Sequence, residues 1–135
     1  MNALQDIKIG DKGTETLVVT RELTVQHFIS SMPAVYGTPM MIFLMEVACG
    51  NAITRSLPEG WVSVGSKVDI KHLAATPIGR TVVATGIVTA INDREVMFSV
   101  SAHDGVRLIG EGTHARGVVN REKFESRLEK DQTAT

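Results

Sequence analysis

Residues 36–51 read YGTPMMIFLMEVACGN, and the way this stretch folds decides the architecture. Thr38 is a residue type that caps helices, and Pro39 suits the first helical position, where a missing N–H costs nothing. Beyond them Met40, Met41, Ile42, Phe43, Leu44, Met45, Val47 and Ala48 are apolar on every side of a helical wheel. The pattern predicts a helix to about Arg55, stopped before Leu57-Pro58-Glu59-Gly60. A helix without a polar face is buried, not laid on a surface, so it needs cover all round. In its middle stands one carboxylate, Glu46, whose neighbours three and four positions away are Ile42, Phe43, Cys49 and Gly50. None of these neutralises a carboxylate, and a buried unpaired one protonates or finds a partner. Glu46 therefore reaches a solvated edge, pairs with a Lys or Arg, or works in a site.

The chain on either side supplies the cover. TETLVVT (14–20) is β-branched and short, a first strand. RELTVQHFISSM (21–32) is mixed, a short helix or a mobile cover. After the helix WVSVGSKVDIKH (61–72) alternates, with Val62, Val64, Val68, Ile70 and His72 on one parity and hence one face. RTVVATGIVTAI (80–91) and REVMFSVSAH (94–103) are joined at Asn92-Asp93. AHDGV (102–106) is a hairpin-type turn leading into VRLIGEGTHARGVV (106–119). NREKFESRLEK (120–130) reads as a short charged helix with Asn120 as its cap. A strand, a buried helix and four successive strands imply an α+β fold, an antiparallel five-stranded sheet wrapped around the central helix. We expect a single domain over 1–135, with a core at about 14–127 and a polar, fraying tail at 128–135.

Composition narrows the function. At 135 residues the chain is long enough for one sizeable core, and a formal charge of −1 gives no broad attraction to nucleic acid or anionic membrane. No basic run with interleaved aromatics appears. Cys49, the single cysteine, cannot form an internal disulfide, which fits a reducing cytoplasm. MNALQDIKIGDKG carries no signal pattern, and the apolar run Pro39–Val47 is too short to span a bilayer. The expectation is a cytoplasmic, soluble protein. No HxH, HExxH or CxxC spacing is present, so no metal and no cofactor are expected.

Several residues have a bland reading beside a chemical one. His72 is either a core histidine bonded to backbone or a partner for Glu46, since its parity turns it toward the helix. Thr38 is an ordinary N-cap, or a hydroxyl in a site, or both. Thr38 and Glu46 lie eight residues apart, about 12 Å along a helix, so they do not bond directly. Gly65 interrupts a good strand, as a bulge or as a place where backbone closely approaches a ligand. Met40, Met41 and Met45 are core or an adaptable acyl pocket. Cys49 is inert, because neighbouring Glu46 raises its pKa. His103 sits at a turn, His114 reads as structural within a strand, and His27 lies in the possible cover.

The order of elements and four motifs resemble the hot-dog fold thioesterases, and more narrowly the fluoroacetyl-CoA thioesterase family. The motifs are PAVYGTPMMIFLMEVAC, VGSKVDIKHLAATPIG, SAHDGVRLIGEGTHARGVV and EKF, and the resemblance runs from about residue 14 to 127. It implies a homodimer or larger assembly, with active sites at the subunit interface, acting on acyl-CoA. It implies Thr38, Glu46 and His72 as the catalytic set, Gly65 as the oxyanion-facing backbone N–H, and Arg116 as a secondary substrate-binding residue. Phe28, Met32 and Tyr36 fall in the segment that gates the site, with Met32 where the family pattern leads one to expect an aromatic. The chemistry would pair Glu46 with His72 as a base acting on water or on the Thr38 hydroxyl, or have Glu46 attack directly to give an anhydride. Two other classes stay open: a hot-dog enoyl-CoA hydratase or dehydratase, and a non-catalytic acyl-CoA-binding protein.

Overall fold

The β-branched segments and the apolar stretch fold as their patterns dictate. The structure, a computed structural model, describes residues 2–134. In chain order it forms β1 (Lys12–Val18), a 3-10 turn at Arg21–Leu23, α1 (Val25–Phe28), α2 (Thr38–Ile53) with a 3-10 extension at Thr54–Ser56, β2 (Trp61–His72), β3 (Thr81–Asn92), β4 (Glu95–His103), β5 (Leu108–Asn120) and α3 (Arg121–Gln132). All strand pairings are antiparallel, in the order β1-β3-β4-β5-β2, so β2 is an edge. This is the expected hot-dog architecture.

Period-two alternation sends Val82, Ala84 and Val88 of β3 and Val96, Phe98 and Val100 of β4 to the inner face, where they are buried. Against them α2 buries Met41, Leu44, Met45, Ala48, Cys49 and Ile53. Two glycines set how close the helix comes. Gly13 on β1 pairs with Gly86 on β3. A Cβ on Gly13 would collide with the Ala48 carbonyl and Ala52 nitrogen, and one on Gly86 would stand 2.6 Å from Cys49 Sγ. The sheet does not enclose the helix completely. Phe43 stays 62% exposed and Val68 on β2 45% exposed, so the flank formed by α2 and the β2 edge is open in a single chain.

Four details differ from the sequence reading. β1 starts and ends two residues earlier than 14–20. The segment read as a fraying tail is helical through Gln132, carried on from a start where Asn120 Oδ1 accepts from the Lys123 N–H at 3.0 Å. Thr38 does not cap α2; Gly37 occupies that position and the Thr38 hydroxyl is engaged elsewhere. The fourth is a change of face within β2. Its register against β5 slips between Gly65 and Lys67, leaving Ser66 as an extra residue. His72, Ile70 and Val68 pair with Gly110, Gly112 and His114 on the inner face, and before the bulge it is Trp61, Ser63 and Gly65 that pair with Asn120, Val118 and Arg116. Val62 and Val64 therefore lie on the face opposite His72, contrary to their shared parity.

Candidate active site

Thr38 opens α2 and His72 closes β2, and the antiparallel run of helix and strand brings them together. Thr38 Oγ1 lies 2.7 Å from His72 Nδ1. They line a hollow of about 370 Å³ with Val25, Val35, Tyr36 and Ala74. Burial pushes the His72 imidazole below its ordinary value, with the Ala74 backbone opposing, which favours the neutral ring. Its other nitrogen, Nε2, is buried with no hydrogen-bond partner among the described residues.

The loop after His72 is held from beneath. Asp104 is buried, and its carboxylate accepts from the Thr76 hydroxyl at 3.0 Å, the Arg80 guanidinium at 3.1 Å, and the Val106 and Arg107 N–H groups at 3.0 Å each. Burial alone would raise this carboxyl, but the backbone and side-chain donors outweigh it and hold it well below the usual carboxylate range. The Thr76 carbonyl in turn accepts from the Tyr36 N–H at 2.9 Å, tying this loop to the entry of α2. Nothing in the local sequence marked Asp104 for this role; the HisAspGly turn signal accounted for it as a turn residue.

Glu46 belongs to a second hollow, of about 310 Å³, shared with Phe43, Trp61, Ser63 and Arg116. It is not beside His72, and among the described residues no ion pair within 4.0 Å engages it. It faces the bulge: a Cβ on Gly65 would stand 3.1 Å from Glu46 Oε1 and 3.4 Å from His114 Cε1. Arg116 is fixed in plane, donating from Nε to Ser63 Oγ at 2.8 Å and from Nη2 to the Ser63 carbonyl at 2.9 Å. Burial presses its pKa down while Glu46 and Cys49 pull it up. The Cys49 thiol is buried and pushed up to about 12, chiefly by burial, with Arg116 lowering it and Glu46 raising it, which makes it the poor nucleophile expected.

Thus one chain carries two separate clusters, Thr38–His72 and Glu46–Gly65–Arg116, at opposite ends of its open flank. Eight helical residues, about 12 Å, separate Thr38 from Glu46. Of the three residues expected to gate the site, Phe28 and Met32 are 64% and 42% exposed. Tyr36 is not: it is buried, its hydroxyl donates to the Met40 carbonyl at 3.2 Å, and it forms wall. Among the described residues no group of three or more acidic, His or Cys side chains is gathered as a metal site. No helix among the described residues is long and apolar enough to cross a membrane.

Comparison with known proteins agrees with this fold. The profile of a family described as fluoroacetyl-CoA-specific thioesterase matches residues 19–122. A fluoroacetyl-CoA thioesterase of Streptantibioticus cattleyicolor is 38% identical over 128 residues, covering 90% of this chain and 92% of the relative. A solved structure of the fluoroacetyl-CoA thioesterase FlK, 36% identical, superposes with a TM-score of 0.87 over 95% of this chain and 98% of that one. A thioesterase superfamily member from Thermus thermophilus, 28% identical, does so at 0.88 over 95% of each.

Proposed function

The chain belongs to the fluoroacetyl-CoA-specific thioesterase family and is a thioester hydrolase, and we propose that it cleaves small acyl-CoA esters at a site completed by two copies of itself. The observation that carries the reading is the 2.7 Å contact between Thr38 Oγ1 and His72 Nδ1. In the productive tautomer the Thr38 hydroxyl donates to Nδ1. Its oxygen attacks the thioester carbon, its proton passes to His72, the C–S bond breaks, and the proton leaves with the CoA thiolate. Water then repeats the sequence on the acyl-enzyme, releasing the acid. Thr38 sits in the first turn of a 16-residue helix, whose positive end favours the developing anion. The Gly65 N–H completes the oxyanion site.

The unpartnered Nε2 of His72 and the unpaired carboxylate of Glu46 call for each other, yet lie apart in one chain. A homodimer joined through the open α2–β2 flank resolves this. Antiparallel pairing of two β2 edges centred between Val68 and Asp69 sets His72 of one copy opposite Gly65, and therefore the Glu46 half-site, of the other. Two exposed apolar side chains, Phe43 and Val68, support burial of the same flank. The enzyme works in the cytoplasm with no cofactor beyond the CoA of its substrate and no nucleic-acid or membrane partner. Phe28 and Met32 close over the acyl group, and the flexible Met32 adapts to more than one short acyl chain.

Mixing two inactive variants tests this. Glu46→Gln and His72→Ala each lower kcat/KM by about 10² or more alone. Unfolded and refolded together in equal amounts, they form half heterodimers with one intact site in two, restoring about a quarter of wild-type activity. No restoration despite demonstrated heterodimers overturns the shared site. CoA release from a panel of acetyl, fluoroacetyl, butyryl and aryl esters identifies the acyl group, and consumption of an enoyl ester without thiol release would assign a hydratase instead.

A further inference from the structure

His114 takes no part in the steps above, yet it is 1% exposed and lies directly behind the Glu46 half-site. Its ring stacks on Phe98, centroids 6.1 Å apart and planes at 28°. Nδ1 is 2.7 Å from the Lys67 carbonyl. A carbonyl only accepts, so Nδ1 carries the proton. Nε2 then offers a lone pair, and Arg116 Nη1, which only donates, lies 3.1 Å from it. Both contacts agree on one neutral tautomer. Burial, with the Arg116 charge assisting, pushes the ring's pKa down against the opposing Lys67 bond and the Glu46 carboxylate.

The two bonds end at the parts of the half-site that need placing. Lys67 is the residue where β2 rejoins its register after the bulge, so its carbonyl sets how the strand leaves Gly65. Arg116 is the guanidinium sharing a hollow with Glu46, and the His114 bond completes the set that fixes its plane. We propose that His114 is a positioning residue for thioester hydrolysis, pinning the β2 bulge through Lys67 and aiming Arg116, so that Gly65 and Glu46 present a fixed geometry to the substrate. The inference rests on the catalytic reading of Glu46 and Gly65 and deepens it.

Three substitutions separate the two bonds. His114→Phe keeps the stacked ring and removes both; His114→Asn retains a donor near Nδ1; His114→Gln retains an acceptor near Nε2. In the full-length protein, with folding verified by calorimetry, His114→Phe should lower kcat at least about tenfold with KM changed little, as misplacement of a reacting group does. His114→Asn should recover most of the loss. Combined with Glu46→Gln, and followed with enzyme in excess, His114→Phe should cost little further, because both act on one element. A structural role would instead multiply through. Nitrogen-15 shifts of the wild-type ring should report Nδ1–H at pH 7. The proposal is overturned by wild-type kcat in His114→Phe, by an equal loss in both backgrounds, or by an Nε2–H tautomer. Wild-type turnover in Glu46→Gln alone would instead reject the catalytic reading itself.

Discussion

Two opposed influences act on His72. Burial lowers the imidazole below its ordinary value of 6.5. In the proposed dimer, a carboxylate brought to Nε2 by a second copy would raise it. Catalysis requires the neutral ring, so the acid limb of kcat/KM reports the folded pKa. Removing the carboxylate leaves burial in command. The residual activity of Glu46→Gln should therefore persist to lower pH than that of the wild type, with its limb below 6.5. An unchanged limb would separate Glu46 from His72. The sequence made Glu46 and His72 stand out, because their types are chemically conspicuous in apolar surroundings, left Thr38 and Gly65 as readily a cap and a bulge as site residues, and offered Arg116 only through the family resemblance. It did not carry their grouping. Glu46 and His72 read as opposite one another from a helical wheel and a strand parity, and neither device encodes the axial offset that parts them.

At the scale of elements, α2 is held by contact of its backbone with the Gly13–Gly86 pair. Overpacking such a contact costs about 1–3 kcal/mol and displaces the helix. Gly86→Ala should lower Tm by several degrees in a thermal melt and, because α2 carries both Thr38 and Glu46, reduce turnover more than the lost stability accounts for. A melt and rate matching wild type would show that the helix yields freely. The helix and all five strands were legible from period and turn chemistry. The face of Val62 and Val64 was not, because the inserted residue, Ser66, is indistinguishable in composition from any exposed strand residue. Gly65 beside it was the available hint.

For the whole molecule, the proposed dimer rests on the edge of β2. Val68, 45% exposed at its centre, is where a charge blocks edge pairing most directly. Val68→Lys should run as a monomer in light scattering and lose at least about tenfold in kcat, each half-site remaining folded but unmatched. An active monomer would place the whole reaction within one chain. The open flank was foreshadowed by a helix with no polar face, which one sheet of five strands cannot enclose.

The bulge at Ser66 also decides how β2 responds to a change of length, which substitutions do not expose. Deleting Ser66 would let the strand pair with β5 without interruption, and the ladder would lose nothing. Gly65 already pairs with Arg116 and Lys67 with Ala115, so every residue from Trp61 to Gly65 would keep its partner and its face, and Ser63 would still anchor Arg116. What such a deletion would remove is the local kink and added twist that the extra residue imposes next to Gly65, the point where β2 meets Glu46 and His114. A one-residue deletion between Trp61 and Val64 that kept the bulge would instead invert the faces of the residues before it, so the same change of length has opposite consequences a few positions apart.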